Sequence, residues 1–165
     1  MNTQGCIRLA TYQNNALFHF EGDVRVTLSA SLDQCISELF ANGCQQIFVD
    51  LTAAVNLDST ALGVLARIPL HQRQVRRAIM ICPSEDLQLL LASMGLIDQF
   101  DLRDDWNGEP FPLDTPLHCL TEVSEPDITL QMLVIDAHKR LMSMHTDNQE
   151  RFAGLVADME RQLRW

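Results

Sequence analysis

FVDLTAAVNLDSTALGVLAR, residues 48–67, changes its hydrophobic period part-way along, and that change decides the fold. Ile47, Phe48 and Val49 form an apolar, β-rich run that ends on Asp50, the signature of a buried strand. A short loop is expected next. Leu62, Leu65 and Ala66 then recur at helical spacing. Asp58 and Ser59 stand at the changeover, where an N-cap belongs. Free N–H groups and the helix dipole favour negative charge at such a point, so a hydroxyl exposed there is well placed to carry a phosphate.

The flanks extend the pattern. Residues 6–11 and 16–21 alternate apolar and polar positions around the turn-forming Gln13-Asn14-Asn15, which predicts an antiparallel hairpin. His19 falls on the polar phase of the second strand, as a surface histidine, and Gly22-Asp23 ends that strand. Leu32, Cys35, Ile36, Leu39 and Phe40 define a helix over residues 29–41 that Asn42-Gly43 stops. Beyond the central stretch, Pro69 is expected to kink or end the second helix. Residues 78–82 read as a short buried strand, residues 85–94 as a helix stopped by Gly95, and residues 97–102 as a last short strand.

Residues 104–126 carry Pro110, Pro112, Pro116 and Pro126 and read as an acidic linker. Ser124-Glu-Pro-Asp127 is a helix start. From there Leu130, Leu133, Ala137, Leu141, Met144, Asn148, Phe152, Leu155, Met159 and Leu163 make an unbroken stripe, which predicts one long amphipathic helix over 127–164. The expected architecture is α/β: a mixed β-sheet packed with helices over residues 5–103, then the linker and the C-terminal helical extension. An isolated amphipathic helix is marginal in water, so the stripe needs a cover: the domain itself, a partner's groove, or a second copy in a homodimer.

Composition narrows the function. The formal charge of −10 over 165 residues makes nucleic acid a poor partner. The basic cluster Arg67, Arg73, Arg76 and Arg77 reads as a solvated helix end. Five cysteines without a CxxC pair favour a reduced protein with buried thiols. No leader pattern and no apolar run of membrane-spanning length are present, so a soluble cytoplasmic protein without membrane insertion is expected. No metal-ligand spacing and no cofactor motif stand out. A nucleophilic Ser59 would need a base and an oxyanion hole, and there is neither a GxSxG elbow nor a phosphate-binding glycine loop, so an enzyme is not expected. His138 and His145, two turns apart on one helix face, are too distant for a shared metal and read as surface histidines.

The chain resembles the STAS domain of bacterial anti-sigma-factor antagonists over about residues 5–103. The likeness is carried by Val49-Asp50-Leu51, by Leu57-Asp58-Ser59-Thr60-Ala61-Leu62-Gly63-Val64-Leu65, by Phe20-Glu21-Gly22-Asp23, and by Leu87 to Leu96. Ala61 replaces the first glycine of the motif, Arg25 stands where an acidic residue is usual, and Pro69 alters the second helix of the partner-binding face. The resemblance implies a partner-switching protein. Ser59 would be the phosphorylated residue, with Thr60 as runner-up. Asp58, Asp23, Arg25, Leu62 and Gly63 would be neighbours of the phosphosite and partner contacts. The partner implied is an anti-sigma factor or a serine kinase/phosphatase-type regulator, sequestered by the unphosphorylated form. A second reading is a non-phosphorylated STAS subunit of a membrane ABC transport assembly.

Overall fold

The computed structural model describes residues 4–72, 77–106, 111, 114–122 and 127–163. Six strands form one sheet. β1 (Cys6–Tyr12) and β2 (Asn15–Val24) are the expected hairpin, closed by Gln13 in the left-handed region. β3 (Gln46–Leu57), β4 (Ile79–Ile81) and β5 (Asp101–Arg103) follow in parallel, and β6 (His118–Cys119) runs antiparallel to β1. The order across the sheet is β5-β4-β3-β2-β1-β6. The helices are α1 (Val26–Ala41), α2 (Ser59–Leu65), α3 (Arg67–Gln72), α4 (Glu85–Ser93), α5 (Asp127–Met144) and α6 (Thr146–Leu163). The mixed sheet packed with helices, with a helical extension at the C-terminus, is therefore present.

Alternation along the strands sorts their side chains onto two faces. Ile7, Phe18, Phe20, Val49, Leu51 and Met80 point toward the helices and build the main core with Leu32, Ile36, Leu62 and Leu65. Ala10, Phe48, Ile79 and Ile81 point the other way and, among the described residues, form a small cluster with Phe111, Leu17 and Trp106.

Ile97–Gln99 form a 3-10 turn ahead of β5 rather than part of the expected last strand, and four further details differ from the sequence reading. Gly22 does not end β2. It takes a positive φ in a bulge, and pairing with β3 resumes at Asp23 and Val24. β3 in turn continues through the expected loop to Leu57, because the extended β2 supplies hydrogen bonds along its whole length. Within the stretch read as a linker, His118 and Cys119 join the sheet beside β1. Finally, the helical extension is folded in two. His145 separates α5 from α6, and its Nδ1 accepts from the Asp147 N–H at the new helix start. Asn148, fully buried, donates to the carbonyls of Leu141 and Met94 and so fixes the corner against the end of α4. Lys139 pairs with Glu160 across the hairpin.

Pro69 acts as expected. Its missing N–H is the one that would bond to the Leu65 carbonyl, and the helix breaks there into α2 and α3 around Ala66. Arg67 is tied to Asp33, and Arg77 donates to the Phe100 carbonyl, so neither is simply solvated. Arg73 and Arg76 lie outside the described residues, as do Pro110, Pro112 and the Ser124–Pro126 helix start.

Candidate functional site

The strand-to-helix junction is built as the sequence suggests. Asp58 is extended, caps α2, and accepts the Ala61 N–H at 2.8 Å through Oδ1. Its own N–H bonds to the Val24 carbonyl, which places the end of β2 beside it. Ser59 is thus the first residue of α2, half-buried, with Asp58 rather than Ser59 as the cap. Thr60 is only 5% exposed, which separates the two hydroxyls clearly.

The Ser59 hydroxyl has a partner that local sequence does not reveal. Ser59 Oγ lies 2.8 Å from His138 Nε2 on α5. His138 Nδ1 faces the Val134 carbonyl at 2.7 Å and must donate to it, so Nε2 of the neutral ring accepts from Ser59. The imidazole is 2% exposed and packs edge-on against Phe152 of α6. His138 is therefore no surface histidine. Its position next to Ala137 and three residues before Leu141, inside the apolar stripe, is the one signal that pointed to burial.

The same helix covers the rest of α2. Leu62 and Gly63, expected as partner contacts, are buried beneath α5. A Cβ at Gly63 would overlap the Ala137 backbone, so glycine here permits close approach of the two helices. Arg140 donates to the Gly63 carbonyl at 2.9 Å. Burial pushes the Arg140 pKa down, with nearby Arg67 adding to the shift.

Asp23 and Arg25 stand at the opposite, open side of the junction. Arg25 donates twice to Asp23 Oδ2, at 2.8 and 3.0 Å. Asp23 first, and Asp58 to a lesser degree, hold the Arg25 pKa above its ordinary value. With Gln4, Gly5, Thr27 and Glu122 they line a shallow cleft. The structure thus gathers Asp23, Arg25, Asp58 and Ser59 around one junction, while Thr60, Leu62 and Gly63 lie inside.

Chemically, the Ser59–His138 pair can move a proton from a hydroxyl to an imidazole. Its Nδ1 is turned to a main-chain carbonyl rather than to a carboxylate, and α5 lies over the helix that carries the serine. The arrangement serves as a latch between α2 and α5. On the other face of the sheet, Asp50 Oδ2 accepts from His19 Nδ1 at 2.9 Å and from Trp106 Nε1 at 3.2 Å, and His19 Nε2 lies 3.3 Å from Glu21. His19, read from sequence as a surface group, is the centre of this polar row. Its partner is on the adjoining parallel strand, 31 residues away. Among the described residues, no group of His, Cys, Asp or Glu is arranged to hold a metal ion, and no helix is long and apolar enough to cross a membrane.

Comparison with known proteins agrees with this fold. The STAS domain family matches residues 7–107. No curated protein matches the chain. Among solved structures, the protein TM1081 is similar at a TM-score of 0.52 and 16% identity, covering 58% of this chain and 78% of its own. The Bacillus anti-sigma factor antagonist SpoIIAA is similar in two states. Its unphosphorylated form has a TM-score of 0.52 at 17% identity, covering 60% of this chain and 89% of its own. Its phosphorylated form has a TM-score of 0.50 at 16% identity, covering 60% and 92%. At such identities the neighbours establish the fold. The chain belongs to the STAS domain family.

Proposed function

We propose that this STAS-domain chain is a phosphorylation-switched binding protein, an anti-sigma-factor antagonist. In its unmodified form it would sequester an anti-sigma factor or a kinase/phosphatase-type regulator. Residues 5–103 would be the switching unit, 104–126 the connector, and 127–164 an accessory element for partner choice. The observation that carries the reading is the Ser59 hydroxyl, set at the first position of α2 directly after a capping aspartate.

A phosphate there would add about 1.5–2 negative charges at pH 7. It would stand beside Asp58 and replace a hydrogen-bond donor with acceptor oxygens facing a buried imidazole. The latch to His138 would be lost, and α5 would have to shift to admit the group. The partner would then meet both a new charge and a displaced hairpin. A loss of ~3–4 kcal/mol in binding would weaken the complex a few hundred-fold, enough for a switch without refolding.

Two measurements test this. Mass spectrometry of the native protein should find phosphate on Ser59 within residues 50–67, and Ser59→Ala should remove it. In pulldowns, Ser59→Ala should retain a regulator that Ser59→Asp loses. Absence of phosphate from that segment under all growth conditions, together with identical pulldowns, would overturn the reading. Recovery of a transport ATPase by both variants would favour a transport-assembly subunit instead.

A further inference from the structure

β1 and β6 bring together two thiols that the sequence separates by 113 residues. Cys6 Sγ and Cys119 Sγ are 3.6 Å apart. The register explains the meeting. Cys119 is opposite Arg8, and Cys6 lies two residues from Arg8 on β1, so all three side chains project from one face. Glu21, opposite Cys6 on β2, pairs with Arg8 at 3.3 Å. Cys119 is exposed and Cys6 is partly covered.

We propose that Cys6 and Cys119 are a redox-active dithiol, oxidised by a hydroperoxide to an intramolecular disulfide that fastens β6 to β1. An S–S bond is about 2.05 Å long, so closure asks for an approach of roughly 1.5 Å. β6 is a two-residue edge strand, held by its ladder to β1, the Leu120 N–H to the Ile7 carbonyl at 2.8 Å, and the Ser31 hydroxyl on the Thr121 carbonyl. So short a strand can supply that movement without disturbing the core.

The two sulfurs have different roles. The neighbouring Cys6 thiol first, and then Arg8, pull the Cys119 pKa down. Burial first, and then Cys119, push that of Cys6 up. Cys119, the exposed sulfur that a peroxide meets first, is the attacking thiolate, and the partly covered Cys6 is the resolving thiol. Arg8 Nε is buried and has no acceptor among the described residues, and an anionic sulfur at Cys119 would supply one. Burial pushes the pKa values of Cys35, Cys44 and Cys82 up, so they compete poorly.

The chemistry balances. The Cys119 thiolate attacks one peroxide oxygen, the O–O bond breaks, and hydroxide or alkoxide leaves and takes a proton. Cys119 is then a sulfenic acid. Cys6 attacks its sulfur, the S–O bond breaks, and the oxygen departs as water carrying the Cys6 proton. Two electrons pass from the sulfurs to the peroxide.

The test treats the reduced full-length chain with stoichiometric hydrogen peroxide. The wild type should lose 2 mass units per chain, the mass of the two hydrogens removed as one disulfide forms. Peptide mapping should join Cys6 to Cys119, and the melting temperature should rise because the link closes a long loop. Cys6→Ser should stop at a sulfenic acid that dimedone traps on Cys119. Cys119→Ser should leave Cys6 reduced at the same dose. A disulfide between other cysteines, a covalent dimer, or oxidation of Cys119 no faster than Cys35 and Cys44 would overturn the proposal.

Discussion

The two faces of the sheet are built on different terms. Toward the helices, Phe18, Phe20, Val49 and Met80 meet a continuous apolar layer, and α5 adds Ala137 and Leu141 to it. Toward the other side, among the described residues, Phe48, Ile79 and Ile81 meet a small cluster around Phe111, flanked by a polar row running from Cys119 through Arg8 and His19 to Asp50. The first face holds the fold together and places Ser59 at its margin. The second carries that polar row, with Cys119 exposed at one end and Asp50 buried at the other. The main apolar core lies to one side of this layer of strands, and the polar row to the other.

The largest expected effect separates the faces directly. Phe18→Ala opens a cavity in the closed core and should cost about 3–5 kcal/mol. Phe111→Ala empties a small cluster near the surface and should cost about 2 kcal/mol or less. Urea midpoints measure both. Equal losses would erase the distinction.

A smaller effect asks how tightly the first face is closed. Gly63→Val would drive a side chain into the Ala137 backbone, an overpacking worth about 1–3 kcal/mol. The strain should be relieved by α5 lifting from α2. Amide exchange across residues 127–144 should then accelerate while residues 16–20 of β2 remain protected. Unchanged protection of α5 would mean that the hairpin is not seated through this contact.

The smallest effect is read on the second face. Cys119 has its pKa pulled below 9.0, so its alkylation rate should reach half-maximum below that pH. Cys35 and Cys44 are pushed above it and should titrate higher. A Cys119 profile that coincides with theirs would place no special thiolate at the sheet edge.

Legibility in the sequence followed the range of the interactions. Asp58 and Ser59 were readable because a cap and the helix it caps are contiguous. The β1–β2 turn and the break forced by Pro69 were readable for the same reason. His138 was misread because its partner is 79 residues distant. The division of the extension at His145 was hidden by the regularity of the stripe. Asn148 occupies a stripe position, yet it is buried to hydrogen-bond carbonyls at a corner, and only the polar run His145-Thr146-Asp147-Asn148 hinted at a second start. β6 is two residues long, too short to give any periodicity, so its pairing with β1 emerges only from the three-dimensional arrangement.

That pairing also orders events on the ribosome. β1 is made well before the strand that covers its outer edge, which ends at Cys119. At ordinary elongation rates the gap amounts to roughly 5–20 s of synthesis. Throughout that interval the nascent β1–β2 hairpin presents an unpaired row of backbone donors and acceptors, the kind of edge that recruits other strands. The positive charge of Arg8 on this strand is one protection available before β6 arrives, and a chain arrested between residues 60 and 110 is the form of this protein most exposed to aggregation.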